Sequence, residues 1–178
     1  MDIDDKKLHT DRWFTYLQFQ ICKSFEFLEG GKSKFSKRYW LKKKSNEGGG
    51  TSCLLSGGKI FDKVGVNKST VSGTFPKKFR SKIFGAQKKG KYWASGVSVV
   101  AHMKNPKIPA IHFNTRFIST TYDWFGGGMD VTPSKKDENE NSIYKFEYSD
   151  INDHLEHDAH VVPKSPQLSH LQEATGCA

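Results

Sequence analysis

Apolar residues recur at Trp13, Leu17, Ile21, Phe25 and Leu28, the three-and-four spacing of one helix face, with Thr10 placed to cap the start and Gly30-Gly31 to stop the end. A three-glycine run at 48–50 opens a different pattern. Short β-like segments follow at 51–55, 59–64 and 66–71, with Gly57-Gly58 as a hairpin turn. Two longer segments, 95–102 and 110–120, are rich in β-branched and aromatic residues. A loop marked by Pro106 and Pro109 joins them, which predicts a β-hairpin with a long turn. Gly126-Gly127-Gly128 then reads as a tight corner that delivers Asp130. The pattern is thus one helix followed by short strands and a hairpin.

Composition adds that the chain is globular. With 178 residues it is long enough for one domain with a core, and its mean hydropathy of −0.65 fits no membrane protein. No apolar run approaches the roughly 20 residues that span a bilayer, and the acidic start Met1-Asp2-Ile3-Asp4-Asp5 is unlike a secretory signal. Cys22, Cys53 and Cys177 are odd in number and share no metal-like spacing, so they read as reduced thiols. The expected compartment is the cytoplasm.

Charge divides the chain. Residues 32–44 and 77–91 each hold seven Lys and Arg and no acid, whereas residues 137–158 hold eight acids and one lysine. The basic runs suit an anionic ligand or a nucleic acid, and equally a solvated lysine surface. From residue 142 the periodicity fades. This sets an expected division into a body, 1–141, and a poorly ordered acidic, histidine-rich tail, 142–178. His154, His157 and His160 in that tail have metal-like spacing, but no apolar scaffold to fix their geometry, so a chance cluster is the favoured reading.

The candidate chemistry lies in the hairpin. Strand alternation puts His112, Asn114 and Arg116 on one side of the second strand, and Ser98 and His102 on one side of the first. If the strands pair, these five form one polar patch opposed by Val97, Val99, Phe113 and Phe117. Arginine supplies a planar fork for a carboxylate, Ser and Asn orient, and histidine exchanges a proton near neutral pH. The same alternation also fits the plain solvent side of a half-covered antiparallel sheet. Both readings stand at this point.

Five motifs in order resemble the aerobic coproporphyrinogen III oxidase family: Gly48-Gly-Gly-Thr-Ser-Cys-Leu-Leu55, Val64-Gly-Val-Asn-Lys-Ser69, Ser95-Gly-Val-Ser-Val-Val-Ala-His-Met-Lys-Asn-Pro106, Ile111-His-Phe-Asn-Thr-Arg-Phe117 and Trp124-Phe-Gly-Gly-Gly-Met-Asp-Val-Thr-Pro133. The resemblance implies oxidative decarboxylation of coproporphyrinogen III to protoporphyrinogen IX in haem biosynthesis. It implies an α+β fold, an antiparallel sheet flanked by helices, of which this chain holds the N-terminal part, with molecular oxygen as co-substrate, no organic cofactor and a homodimer as the assembly. It implies that Ser98 contacts substrate, that Asn114, Thr115 and Arg116 bind it, that His112 donates a proton, and that Asp130 meets the tetrapyrrole nitrogens. It further implies that His102 and His112 are two of four histidines sometimes assigned to a divalent metal.

The chain also departs from that pattern. Family members are longer, and their later histidines, glycine-arginine segment and dimerisation segment have no counterpart after Pro133. The chain is therefore expected to be a C-terminally truncated member. The competing readings are an inactive remnant that still binds porphyrinogen, and a basic nucleic-acid-binding module stacking bases on Trp40, Phe79 and Phe84.

Overall fold

The computed structural model describes residues 1–133, so the expected tail and its His154, His157 and His160 lie outside the described residues. A single long helix, α1 (Ile3–Leu28), is followed by six strands: β1 (Ser36–Leu41), β2 (Gly48–Ser56), β3 (Phe61–Thr74), β4 (Lys91–Met103), β5 (Ala110–Ser119) and β6 (Asp123–Thr132). Each strand pairs antiparallel with the next, giving one sheet in the order β1-β2-β3-β4-β5-β6. This is the α+β, antiparallel-sheet class expected from the sequence. Among the described residues no helix is long and apolar enough to cross a membrane.

Helix α1 begins well before Thr10. Asp2 caps it, its Oδ1 accepting from the backbone N–H groups of Asp4 and Asp5 at 2.9 and 2.8 Å, and those two acids complement the helix dipole. Its buried line is Thr10, Phe14, Gln18, Cys22 and Glu26, about one residue round from the apolar stripe. Leu17, Ile21 and Phe25 pack at the edge of the core, while Trp13 and Leu28 are exposed. The stripe misplaces the face because polar residues bind the helix to the sheet. Gln18 donates to the carbonyls of Thr51 and Val66 at 2.8 and 2.9 Å, and Asp11 accepts from Lys68 and Thr70.

At the helix end, Glu29 fixes the β2–β3 turn. Its carboxylate accepts from the N–H groups of Lys59, Ile60 and Phe61 at 2.6, 2.9 and 2.7 Å. Gly58 is needed there, since a Cβ would lie 2.4 Å from a Glu29 oxygen. Burial alone would raise the Glu29 pKa, but these donors, with Lys104 adding to them, hold it below the usual range.

Three further expectations change. Segments 59–64 and 66–71 belong to the one strand β3, because Gly65 is extended in the ladder opposite Leu54 and Val100. The first basic run contains β1, its Lys37 and Arg38 on an edge strand where charge is tolerated. The glycines at 126–128 are no corner. They lie inside β6, none of them at positive φ, paired with Arg116, Thr115 and Asn114.

The sheet has two unlike faces. Helix α1 covers one over Cys53, Leu55, Val64, Val66, Val97, Val99, Ala101 and Phe117. On the other, the β3–β4 connection with the short helix α2 (Lys77–Arg80) covers one end only, packing Phe75, Ile83 and Ala86 on Val71, Tyr92, Ala94 and Ile118. Among the described residues nothing else covers that second face.

Candidate functional site

Residues paired directly across an antiparallel ladder point to the same side, so the strand registers write the open face as rows. One row runs Arg38, Ser52, Asn67, Ser98, Asn114, Gly128 from β1 to β6. The row beside it runs Leu54, Gly65, Val100, His112, Asp130, and the row on the other side Trp40, Gly50, Ser69, Gly96, Arg116, Gly126. The sequence-derived patch is thereby assembled: Ser98, His102, His112, Asn114 and Arg116 share this face, and Asp130 joins them from the edge strand. Thr115 does not. Paired with Val97 and Gly127, its side chain belongs to the helix-covered face.

Two hydrogen-bonded groups organise the patch. His112 Nδ1 lies 2.8 Å from Asp130 Oδ1, and the Thr132 hydroxyl donates to that same oxygen at 2.7 Å. Among the described residues Asp130 Oδ2 carries no contact. Burial alone would raise the Asp130 pKa, but the bonds from His112 and Thr132 outweigh it and hold the carboxyl below its usual value. In the second group, Arg116 Nη2 donates to Asn114 Oδ1 at 2.9 Å. Gly96 lies directly under Arg116, where a Cβ would come within 2.6 Å of the Thr115 carbonyl and 2.9 Å of Arg116 Cβ. The glycine therefore lets the guanidinium segment sit close to the sheet.

The geometry suits binding and proton transfer on an anionic ligand. Among the residues paired in the ladders, this face carries Arg38, Lys63 and Arg116 against one acid, Asp130, with Asp62 at the bulge beside Lys63. His112, held through Nδ1, has its other ring nitrogen for a ligand. The metal expectation fares less well. The His102 and His112 rings lie 6.1 Å apart at 85°, and among the described residues no group of three or more His, Cys, Asp or Glu could hold an ion. Two imidazoles are half of a tetrahedral set, so these residues alone do not fit a metal. Thr132 is missed when Gly126-Gly127-Gly128 is read as a corner that ends at Asp130; strand alternation from Asp130 finds it.

The aromatic residues of the nucleic-acid reading are engaged elsewhere. Trp40 and Phe79 pack against the second core, and Phe84 stacks on Tyr122 with ring centroids 4.6 Å apart.

Comparison with known proteins points the same way. The family model described as coproporphyrinogen III oxidase matches residues 9–166, running past Pro133 where the quoted motifs end. Curated relatives called oxygen-dependent coproporphyrinogen-III oxidase include one from Rickettsia typhi, 44% identical over 172 residues that cover 92% of this chain and 60% of the relative. Another, from Rickettsia akari, is 43% identical over 191 residues, covering 99% of this chain and 66% of the relative. The chain thus spans about 60 to 66% of the length of these relatives.

Proposed function

The chain belongs to the coproporphyrinogen III oxidase family, and from that premise we propose that its open sheet face binds coproporphyrinogen III and serves its oxygen-dependent oxidative decarboxylation to protoporphyrinogen IX, a step of haem biosynthesis. The observation that carries the reading is the register that gathers Ser98, His112, Asn114, Arg116 and Asp130 on the one face that helix α1 does not cover.

The chemistry follows from the substrate. A hydrogen leaves the propionate carbon attached to the pyrrole ring together with two electrons, which pass to oxygen. The carbon–carboxylate bond then supplies the electron pair of the vinyl double bond, and CO2 departs. Positive charge develops on the ring between these events. Asp130, with Oδ2 turned to no other group, accepts from pyrrole N–H and favours that charge. His112, fixed through Nδ1, moves a proton at its other nitrogen. Arg116, steadied by Asn114, takes a propionate as a two-pronged pair, and Ser98 adds a hydrogen bond. Thr115 contributes through its backbone position between the two. No organic cofactor enters this reading, nor is any step routed through a metal at His102 and His112. The cytoplasm as compartment, a homodimer as assembly and residues 1–141 as the working body complete it.

The test is the purified chain with coproporphyrinogen III in air, the products oxidised and separated by carboxylate number. Porphyrins with three and then two carboxylates are expected, with oxygen consumed. Unchanged four-carboxylate porphyrin at every protein concentration would sink the reading.

A further inference from the structure

Strand β3 carries a feature of the open face that the residues discussed so far do not use. Its side chains on that face are Lys63, Gly65 and Asn67, opposite His102, Val100 and Ser98 of β4. Gly65 leaves a gap: a Cβ built there meets nothing within 4 Å. On either side across the sheet stand Leu54 of β2, exposed for so large an apolar side chain, and Val100 of β4. Along the strand the gap is closed by a cation at one end and a carboxamide at the other. Neither Lys63 nor Asn67 has a side-chain partner among the described residues, and Asn67 is half-buried. A half-buried amide without a partner costs free energy unless a ligand or water satisfies it.

Building on the proposed function, we propose that this notch, floored by Gly65, binds one carboxylate-bearing arm of the tetrapyrrole. The methylenes lie between Leu54 and Val100, and Lys63 and Asn67 hold the carboxylate. Its position agrees with the rest of the site. Gly65 lies in the same row as His112 and Asp130, three strands from the latter, which is about 14 Å at the usual strand spacing. Lys63 and Asn67 are four residues apart, about 13 Å between Cα atoms, so both side chains can lean over Gly65 onto one anion. Ser98, paired with Asn67, sits at the lip of the notch.

The notch holds one carboxylate beyond the one that Arg116 takes, and that gives its test. Fluorescence titration of the full chain uses coproporphyrin III, with four carboxylates, and deuteroporphyrin IX, with two. Gly65→Val fills the floor with a strand-favouring residue whose Cβ meets nothing within 4 Å, and a thermal melt verifies that the fold persists. Coproporphyrin affinity should fall about tenfold in Gly65→Val and Lys63→Ala and further in Lys63→Glu, by charge repulsion. Asn67→Ala should lose about fivefold, and deuteroporphyrin, whose two carboxylates can occupy Arg116 and the notch, should weaken in the same order. Wild-type affinity in Gly65→Val and Lys63→Glu, with Arg116→Ala impaired, would overturn the notch and leave the proposed function standing. Failure of the wild-type chain to bind either porphyrin would remove both.

Discussion

At the scale of single residues, the account rests on Asp130 and His112 acting as one unit. His112→Ala and Asp130→Ala should each lower turnover by about 10² to 10⁴. The double variant should be little worse than either single one, because each loss already dismantles the pair. Steady-state rates of the three variants decide this; fully additive losses would mean separate roles. The carboxyl also carries a pH signature. Asp130 is held below the usual value of about 3.9, so the bond to His112 persists as pH falls through that value and breaks only below it. A carboxyl-carbon NMR titration of Asp130 should give a depressed midpoint that rises in His112→Ala.

The same sign holds for Glu29 at the scale of elements. Its folded pKa lies below its unfolded one, so its contribution to stability is complete above the unfolded value of about 4.3 and is lost as pH falls through the folded value. Urea midpoints measured from pH 6 to pH 3 should fall for the parent chain. They should fall less steeply for Glu29→Gln, which is weaker at neutral pH from the outset. Helix α1 offers a sharper contrast. Phe14→Ala should cost about 3 to 5 kcal/mol, whereas Trp13→Ala, on the outward side, should cost under about 1 kcal/mol. Thermal or chemical denaturation of the two variants separates them, and equal losses would contradict the helix orientation. That contrast also marks where the sequence ceased to be legible. Helical spacing revealed that a helix exists, but its apolar stripe pointed about one residue away from the buried line. Thr10, Gln18 and Glu26 are buried and Asp11 is bonded to the sheet, and no hydrophobic pattern reports polar residues used in this way. The hairpin was the opposite case. In β4 and β5, alternation alone placed Ser98, His102, His112, Asn114 and Arg116 on one face, because one face is apolar and packed. In β6 alternation was masked by glycines, which carry no side chain to alternate, and a strand was read as a corner.

For the whole molecule, the account is of a sheet buried by a helix on one face and, among the described residues, basic and hydrogen-bonding over much of the other. An anionic ligand on such a face is bound less tightly as salt rises, since the contributing charges are solvent-facing. Coproporphyrin III affinity should therefore fall steadily between low and physiological ionic strength, and Lys63→Ala should flatten that dependence. Family membership was readable from five motifs in order, while the use of the open face depended on strand registers that no single motif encodes. The most direct test of that face uses the side-chain amide signals of the intact chain. Asn67 and Asn114 stand on the open face, and Gln18 is locked beneath the helix on the other. On addition of coproporphyrin III, the account predicts that the Asn67 and Asn114 amide resonances and the His112 ring shift together while those of Gln18 stay in place. Shifts confined to Gln18 and the helix face, or to the basic stretch 77–91, would contradict it.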